Sequence, residues 1–299
     1  MTISSTVFNK NKRINEYLTQ SQAHTQTHKI ALMGMSGVGK TALSKLLPRD
    51  TWFHYSIDYR IGTRYLNEEV SDFLKLEAMK NPLLAQLLRT DSIRVSSNLS
   101  IENLAPLSAY LGMVGNVQKN GLELTVFLER LAKHRRAEIA ATQDVASFIE
   151  KVKMLYGYPN FLADTSGSLC ELDDQSTLKV LASSCLLVYI KSTKSMQQAL
   201  INRALSHPKP LYYQKEFLLK AIADYCLQES IDDARYIDPA LFAIWVFPHL
   251  VKHRLALYQA IADQYGITVS ATDTALIKNE QDFVDFITQQ ARAHLKELL

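Results

Sequence analysis

The segment that most constrains the fold of this 299-residue chain is Gly34-Met35-Ser36-Gly37-Val38-Gly39-Lys40-Thr41. It matches the pattern G-x-x-x-x-G-K-[ST], in which glycines allow a tight turn and close approach of the backbone to a ligand. An apolar run at residues 30–33 precedes it, and a helix-like run at residues 42–47 follows. This order predicts a buried strand, a glycine-rich loop (residues 34–41) and a helix, which is the beginning of an α/β fold.

Four further segments have the length and apolar character of buried strands. They are residues 52–57, 161–163, 185–190 and 267–269. Helical patterns separate the five strands, so the sequence predicts a five-stranded parallel sheet with right-handed crossovers. Gly266, directly before the last strand, is predicted to cap the C-terminus of a helix.

The stretch between the second and third strands, residues 64–156, is unusually long and mostly helical in pattern. Apolar residues recur there with the spacing of amphipathic helices, at residues 124–131 and again at 145–152. We interpret residues 64–156 as a helical insertion into a core formed by residues 28–63 and 157–299. It either covers an acceptor substrate or packs against the sheet. Residues 1–27 are predicted to be a loosely held lead-in with a short helix near residues 14–18.

The composition is that of a soluble globular protein, with 47% apolar and 21% charged residues. The net charge of +3 makes no strong case for a nucleic-acid partner. The densest basic run, residues 133–136, is predicted to be a solvated helix face, with phosphate contact as the alternative. Asp238-Pro239 predicts a helix start, and Pro248 is predicted to break or kink that helix.

The three cysteines, Cys170, Cys185 and Cys226, have neither the number nor the spacing of a disulfide framework or a zinc site. Cys185 opens an apolar run and is predicted to be a small buried hydrophobic residue. We find neither the apolar segment of a signal peptide nor an apolar run that approaches a membrane span. A reduced, cytoplasmic protein without a membrane partner is the expectation.

The chemistry expected of the glycine-rich loop is phosphate binding. Its backbone N–H groups would surround the phosphates of a nucleotide at a helix N-terminus. The residues that contribute these groups are Gly34, Met35, Ser36, Gly37, Val38 and Gly39. Lys40 would reach the β and γ phosphates, and the Thr41 hydroxyl would bind Mg²⁺. ATP and Mg²⁺ are the cofactors predicted.

Two carboxylates follow predicted strands, where ligands of parallel sheets bind. Asp58 follows the second strand and either orients an acceptor hydroxyl or caps the next helix. Asp164 follows Phe161-Leu162-Ala163 and either holds Mg²⁺, as the Walker B element does, or caps a turn. The small residues 165–168 after it could form a backbone cradle for an anion.

A further segment, residues 207–213, contains two prolines and several polar or cationic groups between helices. It is either a mobile lid, whose Lys209 meets the transferring phosphoryl group, or a basic surface loop.

In this order, the motifs resemble those of P-loop NTPases of the nucleoside-monophosphate-kinase superfamily, and within it shikimate kinase and related small-molecule kinases. Asp58 with Arg64 resembles the segment that binds the acceptor, Arg203 with Lys209-Pro210-Leu211 resembles the lid, and residues 253–263 resemble a late helix. The resemblance implies that Asp58 and Arg64 bind the acceptor. It places Arg203 against the adenine, Lys209 near the phosphates and Arg254 on the acceptor's anionic group.

The chain departs from this family in several places, among them the Gly-Gly pair that residues 164–168 replace after the third strand and the helical insertion, which has no counterpart in shikimate kinase. Ser56 stands where the family has a first Asp, so Mg²⁺ would fall to Asp164, and Lys209 replaces the lid Arg. The alternative for Arg254 is an ordinary solvated helix residue.

Three functions follow from these features. The first is a small-molecule kinase that transfers the γ-phosphoryl group of ATP to an unidentified hydroxyl or phosphate acceptor. The second is an ATPase or nucleotide-dependent switch, whose helical region would bind a protein partner. The third is nucleotide binding without turnover, against which the intact Lys40-Thr41 pair argues.

Overall fold

A computed structural model of the chain describes residues 8–22 and 26–296. It contains a five-stranded sheet, all parallel, in the order β2-β3-β1-β4-β5. The strands are β1 Lys29–Met33, β2 Trp52–Ser56, β3 Asn160–Asp164, β4 Leu186–Lys191 and β5 Gly266–Ser270. All five predicted strands are confirmed, each within one residue of its expected ends. Because β1 lies at the centre, the chain turns to one side of it after β1 and to the other after β3, which opens a crevice at the carboxyl ends.

Thirteen α-helices are present in the described part of the chain. They are α1 Lys10–Gln22, α2 Lys40–Lys45, α3 Ile57–Arg60, α4 Asn67–Met79, α5 Pro82–Arg89, α6 Ala105–Leu111, α7 Leu124–Tyr156, α8 Gln175–Ser184, α9 Lys194–Ser206, α10 Lys215–Glu229, α11 Pro239–Tyr265, α12 Ala271–Thr274 and α13 Glu280–Lys296. A π-helical turn, Ile61–Tyr65, follows α3, and a 3₁₀ turn, Leu169–Glu171, precedes α8.

The chain forms two compact units. The sheet unit comprises Met1–Ile57, Thr142–Leu200 and Val251–Leu299 as far as these are described, and the helical unit comprises Asp58–Ala141 and Ile201–Leu250. The stretch between β2 and β3 is mostly helical, and its role as an insertion stays a prediction, as do the predicted domain boundaries. Residues 201–250 belong to the helical unit together with most of that stretch.

The core of the sheet unit is built on the strands themselves. The side chains of β1 from Ile30 to Met33 are fully buried, as expected of a central strand covered on both faces. Helix α1 is longer than the short helix predicted near residues 14–18, and its Ile14 and Tyr17 are buried. Residues 1–7 and 23–25 of the predicted lead-in lie outside the described residues.

The core of the helical unit consists of apolar faces of α7, α10 and the N-terminal half of α11. Phe127 of α7, Leu218 of α10 and Val246 of α11 are each 0% exposed. The two amphipathic patterns predicted at residues 124–131 and 145–152 lie on one continuous helix, α7, because the residues between them favour no break. Tyr212 and Tyr213, from the predicted lid, are also buried in this core.

Three local predictions are corrected by the structure. His134 in the predicted solvated basic run is buried, because α7 turns it toward Tyr212, and its Nδ1 lies 3.7 Å from Glu138 Oε2. Helix α11 continues through Pro248, so the predicted break is wrong, while the predicted kink stays a prediction. Gly266 begins β5 and does not adopt the left-handed conformation of a helix cap. It is glycine because a Cβ there would lie 2.4 Å from the Leu187 carbonyl oxygen.

One helix of the described ranges, α11, is long and apolar enough to cross a bilayer by length and composition, with a mean hydropathy of 1.2 over its most apolar stretch. A single helix of this kind is weak evidence, since core helices of globular proteins meet the same criterion. The absence of a membrane partner and the cytoplasmic location stay predictions.

Candidate functional site

The glycine-rich loop connects the end of β1 to the start of α2, at the carboxyl edge of the sheet. Gly34, Gly37 and Gly39 have φ angles of 145°, 88° and 101°, values that strongly favour glycine. A Cβ on Gly34 would also lie 2.8 Å from the Ile190 carbonyl oxygen of β4. The loop therefore has a shape that only glycine at these positions allows without strain.

Lys40, the first residue of α2, turns its side chain back across this loop. Its Nζ donates to the carbonyl oxygens of Gly34, at 2.8 Å, and Met35, at 3.3 Å, and the residue is 7% exposed. The ammonium group thus lies within the loop instead of in bulk solvent.

Thr41 and Asp164, the two predicted magnesium ligands, are brought together by the structure. The Thr41 hydroxyl donates to Asp164 Oδ2 at 2.7 Å, although the two residues are 123 positions apart in the chain. They meet because β1 and β3 are neighbours, with Leu32 paired to Asp164. Asp164 is 7% exposed, so its carboxylate is held beside the loop and largely shielded from water.

His54 is a residue of this site that the sequence analysis missed. It lies on β2, and its Nε2 is 3.9 Å from Asp164 Oδ2, an ion-pair distance that is too long for a hydrogen bond. Burial raises the pKa of Asp164, but His54, Lys40 and Thr41 together outweigh burial and hold that pKa below its usual value. A polar side chain amid the aromatic residues of β2 was the only sequence signal of this role.

The donor set suits a hard cation such as Mg²⁺, which prefers oxygen ligands and completes its shell with water and substrate phosphates. A hydroxyl and a carboxylate, from Thr41 and Asp164, are the oxygens available next to the loop. Within the described ranges, no group of three or more His, Cys, Asp or Glu side chains could hold a metal by itself. A cation bound to Thr41 and Asp164 would complete its coordination with water or phosphate oxygens.

The segment after Asp164, residues 165–171 (the post-β3 segment), packs closely beside the glycine-rich loop. Thr165, Ser166 and Ser168 are each 6% exposed or less. A Cβ on Gly167 would lie 3.2 Å from the backbone nitrogen of Ser36. The small residue at position 167 thus permits close approach between the two loops.

Arg254 of α11 forms a buried ion pair with Glu171 at the end of the post-β3 segment. Its Nε and Nη2 lie 2.7 Å and 2.6 Å from Glu171 Oε2, and the two residues are 5% and 1% exposed. The interpretation of Arg254 as a solvated helix residue is therefore wrong. Burial is the largest effect on the pKa of Arg254 and lowers it, but the charge and hydrogen bond of Glu171, with smaller contributions from Cys170 and Tyr258, together outweigh burial. The pKa is therefore raised, and the guanidinium stays charged. Nothing in the sequence marked Glu171 as its partner.

The remaining predicted site residues belong to the helical unit. Asp58 is half-buried in the first turn of α3, two residues after β2 ends. Arg64 lies exposed near the end of the π-helical turn, Arg203 is exposed in the last turn of α9, and Lys209 is exposed in the connection between α9 and α10. Arg64, Arg203 and Lys209 thus place exposed positive charge where an anionic ligand could reach it.

The chain matches no protein-family model and no curated protein.

Proposed function

We propose that this protein binds Mg·ATP at the glycine-rich loop and transfers the γ-phosphoryl group to a small-molecule acceptor. The observation that carries the proposal is the convergence of Lys40, Thr41 and Asp164 at one loop, beyond the carboxyl ends of β1 and β3. A cationic amine, a hydroxyl and a carboxylate at that place match what phosphoryl transfer from a magnesium nucleotide requires.

In this proposal, the N–H groups of the loop bind phosphate oxygens at the N-terminus of α2, where the helix dipole favours negative charge. Lys40 exchanges its bonds to the Gly34 and Met35 carbonyls for phosphate oxygens, on which charge develops during transfer. Thr41 and Asp164 would hold Mg²⁺, and the bound ion would neutralise negative charge on the phosphates.

Asp58 is the residue that we propose to bind the acceptor molecule. Its place two residues beyond β2 suits a carboxylate that orients an acceptor hydroxyl and accepts its proton. The exposed Arg64, Arg203 and Lys209 keep the roles that the family resemblance implies, on the acceptor, the adenine and the phosphates. We assign Arg254 a different role below.

The first experiment is ADP release from Mg·ATP, with and without a protein-free extract of small metabolites. We expect strong stimulation by the extract and a loss of about 100- to 1,000-fold in Lys40→Ala, since Lys40 is a charge-stabilising group of the transition state. Lys45→Ala is the matched control, because it removes an exposed lysine from the last turn of the same helix. Equal turnover in the two variants would contradict the proposal.

The alternative function, an ATPase or switch with a protein partner, predicts turnover that depends on Lys40 but ignores the extract. Asp58→Asn separates the two further. A kinase variant of this kind keeps Mg·ATP affinity and loses transfer, whereas a hydrolase without a small acceptor keeps its turnover.

A further inference from the structure

The ion pair of Arg254 with Glu171 is not isolated, because it belongs to a set of contacts that join α11 to the post-β3 segment. Tyr258, one helical turn after Arg254, is 0% exposed and donates its hydroxyl to the Ser166 carbonyl oxygen at 3.1 Å. Residues four apart lie on the same helix face. One face of α11 therefore holds the post-β3 segment at both Ser166 and Glu171.

Tyr258 and Glu171, one group from each of the two attachments, are themselves held in place. The Tyr258 ring stacks on Tyr189 of β4, with ring centroids 5.4 Å apart and planes 12° from parallel. Glu171 donates its backbone N–H to the Ser168 carbonyl oxygen at 2.8 Å, which closes the 3₁₀ turn. The segment is thus braced between the sheet and α11.

The same segment also adjoins the glycine-rich loop. Asp164, which accepts the Thr41 hydroxyl, directly precedes the segment, and Gly167 within it comes against the Ser36 backbone. A shift of the segment would therefore change the position of Asp164 relative to Thr41, and of Gly167 relative to the glycine-rich loop.

We propose that Arg254 and Tyr258 are positioning residues of the nucleotide site, which hold the post-β3 segment and through it the magnesium ligand Asp164. This inference rests on the proposed function. It differs from the role that the family resemblance implies for Arg254, since two of its guanidinium nitrogens are already bound to a buried carboxylate.

The test is the binding of a fluorescent, non-hydrolysable ATP analogue over a series of Mg²⁺ concentrations. Tyr258→Phe removes one hydroxyl and keeps the stacked ring. We expect it to raise the Mg²⁺ concentration for half-maximal binding about 10-fold, since groups that orient a metal ligand typically contribute 10- to 100-fold. Tyr265→Phe is the matched control, because it removes a hydroxyl of the same helix that donates to Gln175 instead.

Arg254→Lys and Glu171→Gln test the ion pair itself. We expect each variant to raise the Mg²⁺ concentration for half-maximal binding about as much as Tyr258→Phe does. The double variant should raise it no more than either single variant, because both substitutions act through one contact. If Arg254→Lys unfolds the protein, which a melting curve shows, Tyr258→Phe still decides the matter.

The outcomes separate this inference from the proposed function. The inference would be overturned if the variants of Tyr258 and Arg254 fold and reach half-maximal binding of the analogue at no more than twice the wild-type Mg²⁺ concentration. If Lys40→Ala abolishes binding in the same assay, the proposed function stands even then. Failure of the wild-type protein to bind the analogue at any Mg²⁺ concentration would overturn the proposed function itself.

Discussion

Gly34 and Gly39 illustrate two reasons for glycine in one loop. Both have positive φ, 145° and 101°, which residues other than glycine rarely adopt. At Gly34 a Cβ would also lie 2.8 Å from the Ile190 carbonyl oxygen, whereas at Gly39 nothing lies within 4 Å of it. Gly39 therefore serves backbone conformation alone, and Gly34 serves close packing of the loop on β4 as well.

This difference predicts unequal costs of substitution. We expect Gly39→Ala to lower the free energy of unfolding by about 1–3 kcal/mol, the strain of an unfavourable backbone region. Gly34→Ala should cost more, because the backbone of β4 cannot move aside for a methyl group. Urea unfolding of the two variants measures both values, and a Gly34→Ala cost no larger than that of Gly39→Ala would contradict the packing argument.

At Asp164 the lowered pKa makes a pH-dependent contribution to stability. The folded carboxyl titrates below the usual value of 3.8, so its contribution is complete above the pKa of the unfolded chain. It is lost as the pH falls through the lower, folded pKa. We expect the wild-type protein to lose stability over this acidic range more steeply than Asp164→Asn, in unfolding measurements at successive pH values. Asp285→Asn, which removes an exposed carboxylate of α13, is the control and should keep the wild-type slope.

At the scale of elements, α11 begins where a local sequence signal places it. Asp238 Oδ1 accepts from the backbone N–H groups of Ala240, at 3.1 Å, and Leu241, at 3.2 Å, so the predicted helix start at Asp238-Pro239 is confirmed. The same carboxylate also lies 2.9 Å from Lys119 Nζ, in an exposed ion pair.

Substitutions at this cap separate its two contacts. We expect Asp238→Ala to lower the free energy of unfolding by about 1 kcal/mol, the usual value of an N-cap. Asp238→Asn keeps a capping oxygen and loses only the pair with Lys119, so it should cost a few tenths of a kcal/mol. Thermal or urea unfolding measures the two, and equal losses would mean that the ion pair carries the effect.

At the scale of the whole molecule, each compact unit contains one of the two tryptophans. Trp52, in the sheet unit, donates its Nε1 to Glu280, while Trp245, in the helical unit, donates its Nε1 to Gln228. Single-tryptophan variants therefore report on each unit separately by fluorescence.

Mg·ATP should stabilise the unit that contains the glycine-rich loop. At 100 times its Kd, a ligand that binds only the folded protein adds about 2.7 kcal/mol. We expect the melting transition seen by Trp52, in Trp245→Phe, to rise with Mg·ATP. The transition seen by Trp245, in Trp52→Phe, should rise less. Equal shifts would mean that the two units unfold together, and no shift in either would contradict nucleotide binding.

The sequence by itself determined the α/β class, the five strands, the glycine-rich loop and the start of α11. These features have local causes. A buried strand needs an unbroken apolar run, a tight loop needs glycine, and a helix start needs a capping side chain next to a permitted proline. Each signal lies within a few residues of the structure it specifies.

Only the tertiary structure decided which side chains meet. The strand order β2-β3-β1-β4-β5 brings Thr41 to Asp164 and His54 toward the same carboxylate. The burial of Arg254 against Glu171 likewise became apparent only in the folded structure. The sequence of a helix gives the spacing of its residues but not what its charged face packs against. The physical reason is that long-range partners depend on how elements pack, which apolar periodicity leaves open.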